Sequence, residues 1–98
     1  MPLRFEWSLR KAAINFRKHS VSFEEAATVC EGRHQRVYDI EHSVAEDREI
    51  AIGFSVRLRL LVVVIYEQED ETIRIISARR ANRAEGLRFF VENRGPAR

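Results

Sequence analysis

Apolar positions change their period along this chain, and each change predicts an element. Leu3 to Trp7 reads as a short strand. Ser8 is an N-cap residue type, and Leu9, Ala12, Ala13 and Phe16 then recur at helical spacing, which predicts a first helix with that stripe buried. Lys11, Asn15, Lys18 and His19 fall on another face of it. Ser22 and Glu25 have capping-box spacing, with Val21 and Ala26 placed as a hydrophobic staple. Phe23, Ala26, Ala27 and Cys30 form the buried stripe of this second helix, and Gly32 ends it.

The period then shortens to two. Arg36 to Glu41 alternates loosely, and Ile50, Ile52 and Phe54 alternate with Ala51, Gly53 and Ser55, a half-buried strand with one face of small residues. Leu60 to Tyr66 is apolar throughout, the pattern of a central strand covered on both faces. A polar turn over Gln68 to Glu71 leads into a β-rich run from Thr72 to Arg79. Asn82 and Glu85 form a second capping box, opening a helix with the stripe Leu87, Phe90 and Val91; Gly86 inside it costs about 1 kcal/mol relative to Ala. The predicted order is β-α-α-β-β-β-β-α. Short turns between strands predict a small antiparallel sheet carrying two N-terminal helices and one C-terminal helix, an α+β domain.

At 98 residues the chain is one domain, placed at 1–94 with a frayed tail at 95–98. A chain this size buries roughly two-thirds of its unfolded surface and needs no staples. A single cysteine, Cys30, excludes an internal disulfide and offers no metal-ligand spacing, which predicts a cytoplasmic protein without cofactor. The longest apolar run is too short to span a bilayer and the N-terminus has no signal-peptide core, so no membrane role is expected.

Charge alters the picture more than composition does. The net charge is only +2, but residues 1–19 carry five Lys/Arg against one acid and residues 74–94 carry six Arg against two. Residues 24–49 carry eight acids against three Arg. If the basic ends meet in space they form a patch suited to phosphate; as separate helix faces they are ordinary solvated charge.

Lys18 and His19 close the first helix, where cations complement the helix dipole with no functional role at all. The functional alternative gives Lys18 a backbone phosphate and His19 a proton to bind or transfer, with Asn15 one turn earlier to orient either. Simple alternation puts Ile73, Ile75, Ser77 and Arg79 on one strand face, and an Arg that continues an apolar face is poorly explained by solubility. Guanidinium clamps phosphate with two parallel hydrogen bonds, so Arg79 is a candidate for phosphate; the structural alternative is an ion pair with an acid of the middle segment. Arg80 and Arg83 read more readily as ordinary surface charge, and in the functional reading they extend the basic surface. Arg48 lies on the Ile50–Ile52 side of its strand among Glu46, Asp47 and Glu49, Arg57 occupies an exposed turn, and His34 and His42 are expected to be inert in loops. There is no glycine-rich phosphate loop, no metal-binding His/Cys pair and no nucleophile elbow. One chemistry open to clustered Arg, Lys and His is RNA cleavage by its own 2′-hydroxyl, which needs a proton acceptor, a proton donor and cationic stabilisation.

These residues resemble the BrnT toxins. The matching pieces are Phe5-Glu6-Trp7; Lys11 and Asn15 before Lys18-His19; Val21 to Ala26; Glu46-Asp47-Arg48 before Ile52-Gly53; Leu60 to Val64; and Arg74 to Arg79. The resemblance implies a RelE-like ribonuclease fold, RNA cleavage with translation arrest, and a BrnA-like antitoxin that binds the toxin as a hetero-oligomer and represses their operon. It makes Lys18, His19, Arg48, Ser77 and Arg79 the inherited site residues. Three positions depart from the family: Ser20 stands for the usual Gly after Lys-His, Gly86 for Arg and Phe89 for Tyr.

The expected function is a metal-independent endoribonuclease toxin. His19 or a carboxylate such as Glu46 accepts the 2′-hydroxyl proton, Arg48, Arg79 and Lys18 stabilise phosphorane charge, and Lys11, Asn15, Arg57, Ser77, Arg80 and Arg83 complete the RNA surface. The alternative is a weakened or inactive RNA- or protein-binding module of the same fold. A DNA-binding repressor is disfavoured, since no helix-turn-helix pair carries a basic recognition helix.

Overall fold

The computed structural model describes residues 3–39 and 47–93. The elements are β1 (Arg4–Glu6), α1 (Leu9–His19), α2 (Phe23–Glu31), β2 (His34–Tyr38), β3 (Glu49–Phe54), β4 (Leu60–Glu67), β5 (Thr72–Arg80) and α3 (Arg83–Asn93), in the predicted order. The tail at 95–98 lies outside the described residues.

Strands β2 to β5 form the expected antiparallel meander, but the sheet as a whole is mixed. Its order is β1-β5-β4-β3-β2, and β1 runs parallel to β5, with Arg4, Phe5 and Glu6 opposite Thr72, Ile73 and Arg74. Short turns predict the sense of consecutive strands only. No turn reports on β1, which pairs with a strand from the far end of the chain.

Strand β2 starts two residues before the Arg36 to Glu41 run read from sequence. Its register sets His34 opposite Gly53. A Cβ at Gly53 would lie 2.8 Å from both the Arg33 carbonyl oxygen and the His34 Cβ. That close approach requires glycine in β3. His34 is therefore a strand residue, its Nδ1 2.9 Å from the Gly32 carbonyl and its Nε2 accepting from Arg36 Nε at 3.1 Å.

Helix α2 seals one face of the sheet. Phe23, Ala26, Ala27 and Cys30 pack as predicted, on Ala51, Leu61, Val63, Ile65, Ile73, Ile75 and Ala78. Trp7 meets Phe23 edge-on at 6.0 Å. Burial pushes the Cys30 thiol up to about 11, so it packs as a small apolar group rather than a nucleophile. On the other face Val62 is buried, and α3 lies against the sheet end through Phe89, which meets Phe54 edge-on at 5.9 Å. The rest of that second face, with Ile50, Ile52 and Val64 half-buried, stays open.

Of the stripe predicted for helix α1, Ala12 packs partly buried against the core, but the rest stays exposed. Leu9 is 81% exposed and Phe16 55% exposed, whereas the buried residue is Asn15. Here α1 lies along the edge of β5 rather than over a sheet face, so its contact ridge is narrow and partly polar. The helix ends at Ser20, whose φ of 58° is left-handed and whose N–H bonds the Phe16 carbonyl. Serine thus adopts the conformation a glycine would take at lower cost.

Candidate active site

The site begins with an irregularity in β5. Ile65 pairs with Ile75 and Val64 with Ser77, so Ile76 is an extra residue, a β-bulge. The bulge resets the alternation. Ile73, Ile75 and Ala78 all face α2, while Ser77 and Arg79 turn to the open face with Arg74. Arg79 therefore does not continue the apolar face, as simple alternation had placed it. The sequence carries a trace of it in the Ile75-Ile76 doublet followed by Ala78, a break in period that the bulge explains.

Beside the bulge, α1 and β5 enclose an open pocket lined by Lys11, Ile14, Asn15, Lys18, His19, Ile76 and Ser77. Five of the sequence-proposed site residues meet there, drawn from two elements on opposite sides of the chain. Lys11 and Lys18 are exposed and His19 is half-buried. Asn15 forms the inner wall. Its Nδ2 donates to the carbonyls of Val21 (3.0 Å) and Ala78 (2.8 Å), and its Oδ1 accepts from the Ala78 N–H (3.1 Å). Ile14 and Ile76 are lining residues that sequence reasoning passed over.

Arg79, on the face of Ser77, is engaged by a partner not foreseen. Its Nη1 and Nη2 donate to the two carboxylate oxygens of Glu85 at 2.8 and 2.7 Å. The pair lies with α3, not with an acid of the middle segment. Glu85 also accepts from the Asn82 N–H (2.8 Å) and its own N–H reaches Asn82 Oδ1 (2.8 Å), completing the capping box. Arg79 first, then the Asn82 N–H, hold the Glu85 carboxyl below its ordinary range.

The remaining candidates are dispersed. Arg80 is exposed and its register opposite Leu61 turns it to the other face from Arg79. Arg83 opens α3 in solvent. Arg48 is half-buried just before β3, with its carbonyl accepting from the Asp39 N–H at 2.9 Å. Glu46 and His42 lie outside the described residues. Arg57 is at the tip of the β3–β4 hairpin, its Nη1 3.9 Å from Glu25, and does not line the pocket.

A second ionic cluster was not read from sequence. The Ser22 hydroxyl accepts from the Glu25 N–H at 3.0 Å, as in a capping box, but the Glu25 carboxylate is buried against Arg59 instead of returning to the cap. Arg59 Nε donates to it at 2.9 Å and Ser55 Oγ at 2.7 Å, while Arg59 Nη2 also bonds Glu25 and reaches the Ser20 carbonyl at 3.1 Å. These groups depress the Glu25 carboxyl, Arg59 most. Among the described residues, no group of three His, Cys, Asp or Glu could hold a metal ion, and no helix is long and apolar enough to cross a membrane.

A family model described as the ribonuclease toxin BrnT of type II toxin–antitoxin systems matches residues 7–85. The chain belongs to the BrnT family. It is thereby a ribonuclease toxin by family, with an antitoxin partner and RNA targets. The crystal structure of the Brucella abortus ribonuclease toxin BrnT matches with a TM-score of 0.62 at 20% identity, over 84% of this chain and 100% of that one. At that identity the likeness supports the fold, the α+β arrangement of a five-stranded mixed sheet with three helices. No curated protein matches the sequence significantly. Of the departures from the BrnT pattern, Phe89 is buried against Phe54, and a Cβ at Gly86 would lie 3.8 Å from Leu60 Cδ2, ordinary contact distance.

Proposed function

We propose that this BrnT-family chain is a cytoplasmic, metal-independent endoribonuclease of RelE-like type that arrests translation by cutting RNA. The observation that carries the reading is the pocket in which Lys11, Lys18 and His19 from α1 face Ser77 from β5. The 2′-oxygen attacks the adjacent phosphorus and the 5′-oxygen leaves, giving a 2′,3′-cyclic phosphate. His19 takes the 2′-hydroxyl proton, water in the open pocket gives a proton to the departing 5′-oxygen, and Lys11 and Lys18 balance the charge that builds on the phosphorane oxygens. Ser77 bonds a phosphate oxygen. Arg79 joins by exchanging the Glu85 carboxylate for phosphate, since both anions fit the same two-point contact. Arg48 supplies further positive charge along the open face and Arg83 attracts the flanking RNA backbone, while Arg57 and Arg80, turned away from the pocket, act on RNA only through long-range attraction.

The partner is a BrnA-like antitoxin that silences the toxin as a hetero-oligomer and represses their operon. Leu87, Phe90 and Val91 project from α3 at 58%, 61% and 64% exposure, beside the half-exposed Phe54, and Arg83 and Arg88 are exposed on the same helix. An exposed apolar helix that also carries arginine suits an amphipathic acidic segment of that antitoxin.

Incubation of purified protein with RNA, with and without EDTA, tests the activity. Cleavage that persists in EDTA and varies with pH is the expected result; no cleavage in either would refute it. A binding-only module draws on one observation, that Glu85 holds both terminal Arg79 nitrogens, and predicts RNA retention without products in the same assay.

A further inference from the structure

We infer that Asn15 is the positioning residue of the pocket, standing in for a missing β-strand partner so that α1 and the β5 bulge are held in one fixed relation. The inference rests on reading that pocket as the RNA-cleaving site.

The outer edge of β5 is only partly paired. Strand β1 covers this edge only as far as Arg74, opposite Glu6. Beyond that point the bulge at Ile76 kinks the strand, and its backbone would face solvent or another chain. Asn15 fills the place. Its carboxamide has the same donor and acceptor as a peptide group, and it takes both polar groups of Ala78, as a neighbouring strand residue would. The amide orientation is dictated by its partners: two carbonyls fix the NH2 and one N–H fixes the oxygen. The second donated bond, to the Val21 carbonyl, ties the same side chain to the residue that follows the left-handed Ser20. One buried amide thus joins α1, the bulged strand and the entry to α2.

The pocket residues cluster around this joint. Lys11 precedes Asn15 by one turn, Lys18 and His19 follow it by one turn, and Ile76 and Ser77 immediately precede Ala78. Any shift of Asn15 against Ala78 changes the separation of the α1 cations from Ser77. At 7% exposure Asn15 has little surface for RNA, and its bonds run to the chain itself. Its contribution to chemistry is to set distances.

The test compares Asn15→Asp, Asn15→Ala and Asn15→Ser with the unaltered protein. In Asn15→Asp the shape is kept, but a carboxylate replaces the donor to two carbonyls. Two readouts are taken well below each melting temperature: kcat and KM for an RNA oligonucleotide, and NMR signals of the His19 ring and the Ser77 amide through a pH titration. The expected result is folded variants whose kcat falls at least about tenfold with KM little changed, because misplacement of reacting groups acts on the barrier. The His19 and Ser77 signals should move, while those of Gln35 and Val37 in β2, at the far edge of the sheet, stay in place. Variants that lose thermal stability yet keep wild-type kcat and unshifted His19 and Ser77 signals would overturn the inference. So would failure of all three to fold, since Asn15 would then hold the fold rather than the site. If the unaltered protein cleaves no RNA, the active-site reading fails by itself. The NMR comparison then still decides whether Asn15 sets the α1–β5 geometry.

Discussion

Helices α2 and α3 open with the same device and use it differently. Each has a side-chain cap and a glutamate three residues on, Ser22 with Glu25 and Asn82 with Glu85, and each glutamate meets an arginine, Arg59 from the β3–β4 connection and Arg79 from β5. Glu25 is buried and gives up the return bond to its cap in favour of Arg59 and Ser55. Glu85 stays half-exposed, keeps its cap and still clamps Arg79. The capping signal is local and is legible in both. Whether the carboxylate stays at the helix end depends on what the sheet brings near it. In a dry position an arginine is worth more to a carboxylate than one backbone N–H, whereas at the surface both are held together. The first cluster belongs to the core and the second to the open face where RNA is proposed to bind.

The largest effect should come from the buried member. Glu25→Gln leaves Arg59 without its counter-charge in a place of low exposure, and we expect a loss of about 3 kcal/mol. For a domain of this size that is a fall of roughly 12–24 °C in the thermal midpoint. A Glu25→Gln protein that melts within a few degrees of wild type would end the distinction between the clusters.

Arg79→Lys sharpens the other side of the comparison. If Arg79 contacts phosphate, the lysine keeps the charge but loses the planar two-point contact, and cleavage should slow on the order of a hundredfold, about 3 kcal/mol in barrier. Stability should change by no more than about 1 kcal/mol, since the Glu85 pair is partly solvated. Rate and melting measured on one preparation separate the roles; an unchanged rate moves the phosphate site to Lys18 and Arg48.

Acid should expose the same contrast. Both carboxyls lie below their ordinary value of 4.5 in the fold. The stabilisation they supply is therefore fully present above about pH 4.5 and is lost as pH falls through their lowered folded values. Thermal midpoints followed from pH 6 downward should drop less steeply in Glu25→Gln than in wild type. Parallel acid profiles for the two would remove Glu25 from the explanation.

The smallest effects concern backbone strain. Ser20 and Leu58 hold positive φ of 58° and 61°. Glycine at either should raise stability by about 0.5–1 kcal/mol, read as a modest rise in melting temperature. A fall at Ser20 instead would show that its side chain contributes something the left-handed cap does not require.

Much of this molecule is readable before any coordinates. The α2 stripe, the central strand β4 and both helix caps follow from local period and local hydrogen-bond chemistry. What escapes depends on distant chain. Parallel pairing of β1 with β5, burial of Asn15 in place of Leu9 and Phe16, and capture of Glu25 by Arg59 are all contacts between residues far apart in sequence. The bulge at Ile76 lies between these cases. Its doublet is visible in sequence, but only the register with Val64 and Ile65 shows which face Ser77 and Arg79 take. For the same reason Lys11, Lys18, His19 and Ser77 could be named as candidates, whereas their meeting in one pocket needed the fold.

The central claim is that this chain cuts RNA with the RNA's own 2′-hydroxyl and the side chains of one pocket. Its most direct test uses an RNA oligonucleotide with a mapped cleavage position and the same oligonucleotide carrying 2′-deoxyribose there. Both are incubated in EDTA and their products weighed by mass spectrometry. The account predicts that the first is cut to a 2′,3′-cyclic phosphate and that the second is not cut at that position. Equal cutting of both, or loss of all cutting in EDTA, would contradict it.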